Sequence, residues 1–211
     1  METDDLIARL AADRAARPGP RIDLALAALG ALAASLLVML AFWGLRTDLL
    51  QALASAAFWM KAGYTAAVAL AAWLILDRLA RPGGRSPLGM ALAAAAVVLV
   101  AALAARELAL LPSDQWMAVV KGQSWSVCPA RIALASAPGF LIAVLALRRA
   151  APTRPALAGA AAGLLAGGLG ATAYGLHCDE TAAAFLAVWY TLGMLVWAVA
   201  GAVAGPRLLR W

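Results

Sequence analysis

CPARIALASAPGFLIAVLALRRAAPTRPALAGAAAGLLAGGLGATAYGLHC, residues 128–178 of a 211-residue chain, is a pair of apolar runs joined by a short basic turn and bounded by the two cysteines of the protein. The runs, Ile132–Leu147 and Ala156–Leu176, approach the ~20 residues with which a helix crosses a bilayer core. Arg148, Arg149 and Arg154 stand between them with Pro152 and Pro155, so the two helices turn back on one another as antiparallel neighbours. From the turn to Cys128 on one side and to Cys178 on the other the chain climbs roughly 30–36 Å at 1.5 Å per helical residue. Both thiols are therefore expected at similar height above the same turn.

Four further apolar runs, Leu24–Leu45, Phe58–Leu76, Leu88–Ala105 and Ala182–Ala204, complete the pattern. Hydrophobic content of 65%, charged content of 13% and a mean hydropathy of +0.86 exclude an ordinary soluble domain, whose apolar share is nearer ~45–50%. The fold class expected is all-α, a polytopic membrane protein built as a six-helix bundle. Arginines fall on alternate connections: Arg9, Arg14, Arg17 and Arg21, then Arg78, Arg81 and Arg85, then Arg148, Arg149 and Arg154, then Arg207 and Arg210. Arg46, Lys61, Arg106, Lys121 and Arg131 are spread over the other face, so the positive-inside rule makes both termini cytoplasmic. Residues 1–22 are then a cytoplasmic tail, 23–205 the transmembrane domain and 206–211 a short cytoplasmic end. The pI of about 10.1 is accounted for by basic residues at helix ends facing anionic lipid headgroups, which leaves no call for nucleic acid. Glu2, Asp4 and Asp5 precede a first run longer than the ~7–15-residue core of a signal peptide, so that run is expected to be retained.

The tail itself reads as a short amphipathic helix over Thr3–Arg17. Thr3 can cap it, Asp4 and Asp5 suit its positive end, and Leu6, Ile7 and Leu10 form a stripe before Pro18-Gly19-Pro20 ends it. A helix this short is marginal alone in water, so it rests on the membrane or awaits a partner. Lys61 is the one ionisable residue entering an apolar run. About 16 residues, or roughly 24 Å of helix, separate it from Asp77 at the inner end, which places it near the outer surface, where a lysine is expected to snorkel. Gly159, Gly163 and Gly167, echoed by Gly201 and Gly205, have the spacing that lets helices approach closely in lipid. Trp43, Trp59, Trp73, Trp189 and Trp211 fall near expected interfaces, and Pro138 is placed to kink the fourth span.

Chemistry concentrates at the outer cysteines. A disulfide needs Cα atoms about 4.4–6.8 Å apart, against about 8–10 Å between packed helix axes, a gap that loop positions beside Pro129 and Asp179 can close. In an oxidising compartment a bridge is expected, and closing a loop of about 50 residues would add roughly 4 kcal/mol. Three readings stand at this point: a structural staple, a switch responding to an oxidant or metal, and inert thiols. His177, the single histidine, adjoins Cys178 and is an auxiliary candidate. Two cysteines and a histidine suit transient capture of a soft heavy-metal ion, yet no Cys-x-x-Cys or second histidine builds a resident metal site. Walker, His-Glu-x-x-His and nucleophile-elbow signatures are absent, so neither enzymatic activity nor a cofactor is expected.

Thr3-Asp4-Asp5-Leu6-Ile7, Trp125-Ser126-Val127-Cys128-Pro129, His177-Cys178, Trp189-Tyr190-Thr191-Leu192-Gly193 and Gly205-Pro206-Arg207 together resemble the NrsF family, six-span negative regulators of extracytoplasmic-function sigma factors in the bacterial inner membrane. The resemblance implies that the cytoplasmic N-terminal segment sequesters a sigma factor and that Cys128 and Cys178 sense periplasmic stress. Leu6, Ile7 and Leu10 would then be contact residues, with Asp4 and Asp5 facing basic groups of the partner. The tail lacks a folded anti-sigma domain and a His-x3-Cys-x2-Cys zinc motif, so other cytoplasmic loops share the surface. A small transporter or channel, suggested by the Gly-rich helices and Lys61, is the alternative.

Overall fold

The computed structural model describes residues 3–16, 20–81, 83–150 and 152–209. Met1, Glu2, Arg17, Pro18, Gly19, Pro82, Ala151, Arg210 and Trp211 lie outside them, as do the side chains of residues 13–16 and 20–23, Arg14 and Arg21 among them. The described residues contain helices and no strand. They are α1 (Thr3–Ala16), α2 (Pro20–Phe42), α3 (Leu49–Leu53), α4 (Ala56–Leu79), α5 (Pro87–Ala109), α6 (Trp116–Lys121), α7 (Cys128–Arg148), α8 (Pro155–Tyr174) and α9 (Ala183–Leu208). Six of them, α2, α4, α5, α7, α8 and α9, are long and apolar enough to cross a membrane.

Local chemistry sets where these helices begin. Ser55 Oγ accepts the Phe58 N–H at 3.2 Å and opens α4; Ser86 Oγ accepts the Gly89 N–H at 3.2 Å and opens α5. Pro87 and Pro155 occupy the first position of their helices and Pro129 the second, where a missing N–H costs nothing. Leu49–Leu53 is a separate turn of helix ended before Ser55. The helix α7 runs on through Pro138.

Glycine decides the centre. α8 packs against α2, α4, α7 and α9 and is the most buried of the six. A Cβ on Gly159 would strike the backbone carbonyl of Gly201, and one on Gly163 that of Trp197. A Cβ on Gly167 would lie 2.7 Å from Met194 O. The α8/α9 seam is thus backbone against backbone, closer than any side chain permits. Beyond it, Leu76, Leu147, Ala158 and Ala162 bury one end of the core, and Ile132, Tyr174, Phe185 and Tyr190 the other. The outer faces remain apolar, with Leu29, Leu37, Val98, Leu141, Leu145 and Val203 exposed.

The helices α4, α7 and α9 finish at one end, where α5 and α8 start. There Arg81 pairs with Asp77 at 3.2 Å, Arg148 Nε donates to Leu208 O at 2.8 Å, and Arg85 and Arg154 line one groove. The cysteines are at the opposite end. The N-terminal helix α1 is described over Thr3–Ala16, and Arg17, the last residue of the expected helix, lies outside the described residues. The helix carries Leu6, Ile7 and Leu10 exposed, with Asp5 paired to Arg9 at 3.2 Å.

Candidate functional site

Two turns bring the cysteines together. Cys128 is the first residue of α7 rather than a loop residue before it, its N–H bonded to Ser124 O at 2.8 Å. After α8 the chain folds back on its own last turn, with the His177 and Cys178 N–H groups both donating to Tyr174 O at 3.0 Å. This returns Cys178 to the bundle. No disulfide joins the two cysteines, which are buried and in hydrogen-bond contact with each other.

A carboxylate fastens the two turns to one another. Glu180 Oε1 accepts from the backbone N–H of Gln123 at 2.6 Å and of Ser124 at 2.9 Å, and from Ser124 Oγ at 3.1 Å. Gly122 makes the approach possible: its φ is +55°, and a Cβ there would lie 2.5 Å from the Glu180 carboxylate. Glu107 of α5 accepts the Ala184 N–H at 2.9 Å and Trp189 Nε1 donates to Val120 O at 2.8 Å, which binds the α5–α7 connection to the start of α9.

Lys61 corrects the sequence reading. It lies at the expected height beside the cysteines, but it does not snorkel outward. Only 2% of it is exposed, its Nζ donates to Cys178 O at 2.8 Å, and it stands 5.6 Å from the centre of the Tyr190 ring. Arg46 Nη1 reaches the same carbonyl at 3.3 Å while its other nitrogens pair with Asp48 at 2.6 and 2.7 Å. Tyr190 belongs to a π-helical turn, Leu186–Tyr190, inside α9. Its buried hydroxyl has no nitrogen or oxygen partner and is directed at the Cys178 sulfur.

His177 turns away from the thiols. Its Nδ1 lies 3.1 Å from Gly44 O and its Nε2 3.5 Å from Arg131, an arrangement met by an Nδ1–H donor, and its ring packs on Trp43 and Tyr174. Gly44, at φ +72°, ends α2 and offers that carbonyl. Among the described residues no three of His, Cys, Asp and Glu converge as metal ligands. The Cys178 thiol is pulled down from its ordinary value of 9 to about 6. The hydrogen bond from Cys128 is the main cause, aided by Lys61, the Tyr190 hydroxyl and the Glu180 N–H, with burial opposing. Asp4, Asp5, Leu6, Ile7 and Leu10 stay together on α1, exposed and outside this cluster.

A family profile described as "Negative regulator of sigma F" (NrsF) matches residues 10–211. The chain belongs to the NrsF family. It is 46% identical over 217 aligned positions to the "Anti-sigma-F factor NrsF" of Caulobacter vibrioides, and 39% identical over 213 to the "Probable anti-sigma-F factor NrsF" of Azospira oryzae. Both alignments cover the whole of each chain. No solved structure matches. These NrsF relatives are named for regulation rather than for catalysis. The NrsF profile takes in both cysteines, Lys61 and Glu180 and begins at Leu10, so Asp4, Asp5, Leu6 and Ile7 precede it.

Proposed function

We propose that the chain is a membrane-bound anti-sigma factor that holds an extracytoplasmic-function sigma factor at the bacterial inner membrane and releases it when Cys128 and Cys178 react. The observation that carries this reading is the buried cysteine pair at the end of the bundle opposite Arg81, Arg85, Arg148 and Arg154, in a chain of the NrsF family. An apolar exterior suits lipid, and arginine-rich connections at one end suit a cytoplasmic orientation of both termini. Residues 1–22 then form the cytoplasmic tail, 23–205 the membrane domain and 206–211 the cytoplasmic end. The exposed stripe of Leu6, Ile7 and Leu10, flanked by Asp4 and Asp5, is the sigma-binding face, assisted by the cytoplasmic loops.

The signal is a thiol reaction. A two-electron oxidant takes two electrons and two protons from the pair and leaves a Cys128–Cys178 disulfide; a thiophilic metal ion instead displaces the protons and binds both sulfurs. Either product alters the first turn of α7 against the turn after α8, and a tilt of these helices changes how α1 is presented. His177 assists by holding that turn against Gly44.

Affinity capture from the native host tests the partner. The full-length chain is expected to recover a sigma factor, and a version lacking the residues before Arg21 is expected to lose it. Recovery with both would move the binding face to the loops, and recovery with neither would favour a transporter, for which flux dependent on Lys61 is the assay. Leu6→Asp with Leu10→Asp is expected to derepress the sigma regulon fully, and unchanged repression would remove the stripe from the interface. Replacing both cysteines with serine is expected to abolish induction by oxidant or heavy-metal ion; an intact response would end the sensor reading.

A further inference from the structure

We infer that Lys61 is the countercharge of a buried thiolate at Cys178, so that the resting pair is one thiolate and one thiol rather than two thiols. The inference deepens the sensor reading of this pair and rests on it for its purpose, but its test reads thiol chemistry directly.

A lysine buried this deeply needs a compensating anion or must give up its proton. The groups facing it can be named from every side. The α2–α3 connection brings Arg46, a second cation, already satisfied by Asp48. On α4 itself Tyr64 bonds to Thr191 at 2.6 Å. From α7 come Cys128 and Arg131, the latter directed at Tyr174 and His177. Tyr174 closes α8. The following turn carries His177, held by Gly44, then Asp179, and Glu180, engaged by Gln123 and Ser124. Tyr190 comes from α9. Among the described residues no carboxylate pairs with Lys61, whose one hydrogen bond goes to Cys178 O. Asp179 acts on Lys61 through space without a hydrogen bond to it, and among the groups facing the ammonium the sulfur of Cys178 exerts the largest attraction.

That sulfur is equipped to carry the negative charge. Cys128 S–H, the Glu180 N–H and the Tyr190 hydroxyl all point to it, and the last has no nitrogen or oxygen partner, which a thiolate acceptor explains. The proton balance closes within the cluster. A proton moved from Cys178 to Lys61 turns an amine and two thiols into an ammonium, a thiolate and a thiol, with the count of protons and the net charge unchanged. The ammonium donates to Cys178 O and faces the Tyr190 ring, a favourable position for a cation. The thiolate is the nucleophile in disulfide formation and the ligand form for metals. Lys61 is thus a positioning residue that keeps the pair reactive without an external base.

The test is a pH titration of thiolate ultraviolet absorbance on the reduced full-length protein in detergent, taken as wild type minus Cys178→Ser. Wild type is expected to show one thiolate at pH 7, with a midpoint below the ~8.5 of a free thiol. Lys61→Met is expected to raise the midpoint by about two units and so to cut the pH 7 signal about tenfold. Lys61→Arg should retain the thiolate, and Tyr190→Phe should shift the midpoint part of the way. An unchanged titration in a folded Lys61→Met protein would overturn the inference. Should that variant fail to fold, a wild-type midpoint at or above the free-thiol value overturns it just as well. Because no sigma factor enters the measurement, its failure leaves the sensor reading standing, and failure of the cysteine-to-serine induction assay leaves the ion pair standing.

Discussion

Gly163→Ala is expected to leave little folded protein, although it adds a single methyl group to a helix and replaces the poorer helix former with the best one. The methyl lands on the backbone carbonyl of Trp197. A flexible side chain could move aside; a carbonyl inside a helix moves only if α9 moves with it. The neighbouring contacts forbid that, because Gly159 meets Gly201, Gly167 meets Met194 and Gly205 meets Pro155 along the same seam. Overpacking costs typically about 1–3 kcal/mol and occasionally more. A clash with fixed backbone belongs at the upper limit, a large part of the ~5–15 kcal/mol by which domains are stable. Gly63→Ala is the control: nothing lies within 4 Å of its added Cβ, so it should be neutral or gain up to about 1 kcal/mol. The fraction of detergent-solubilised protein that stays monodisperse in size-exclusion chromatography after heating reads both. Equal survival of Gly163→Ala and wild type would mean that the α8/α9 seam is looser than backbone contact.

The interval between these glycines was legible from sequence, and so was the equal height of the two cysteines, since both follow from the fixed rise of a helix. Partners were not. Spacing in α8 announces a close approach without saying that Trp197 and Gly201 provide it. Lys61 shows the limit most clearly. Its depth along α4 was read correctly from the distance to Asp77, yet depth along one helix says nothing of what covers the residue sideways. The cover comes from the turn after α8, which places the Cys178 carbonyl over the ammonium. Tyr190 needed the π-helical turn of α9, which has no hydrophobic period to betray it. His177 looked like a partner of Cys178 because the two are adjacent, and adjacency is what turns successive side chains apart. For Asp4, Asp5, Leu6, Ile7 and Leu10 the sequence gives an exposed amphipathic helix, which the structure retains; their role in binding rests on family resemblance and on the capture experiment.

Glu180→Ala is expected to slow formation of the Cys128–Cys178 disulfide by diamide about tenfold or more, with the bundle itself still folded. The carboxylate accepts three hydrogen bonds from residues 123 and 124, which lead directly into Cys128, while its own backbone follows Cys178 by two residues. It is therefore the strap that sets the gap between the two turns. Hydrogen bonds to a charged group contribute about 1.5–3 kcal/mol each where water is excluded. Gln123 is exposed, so the three together are worth less than their sum, and about 1.4 kcal/mol is enough for a tenfold change in the population of the closed arrangement. Glu180→Gln keeps one acceptor oxygen and should lose less. Gly122→Ala attacks the same strap from the other side, by pushing a methyl against the carboxylate at a positive φ, and should match Glu180→Ala. The rate is measured by mobility shift after quenching free thiols, with thermal survival as the check on folding. If both substitutions left the oxidation rate unchanged, the turn after α8 would be holding Cys178 on its own, through the bonds of His177 and Cys178 to Tyr174 O, and the signal would have to enter through α8 rather than through the α5–α7 connection.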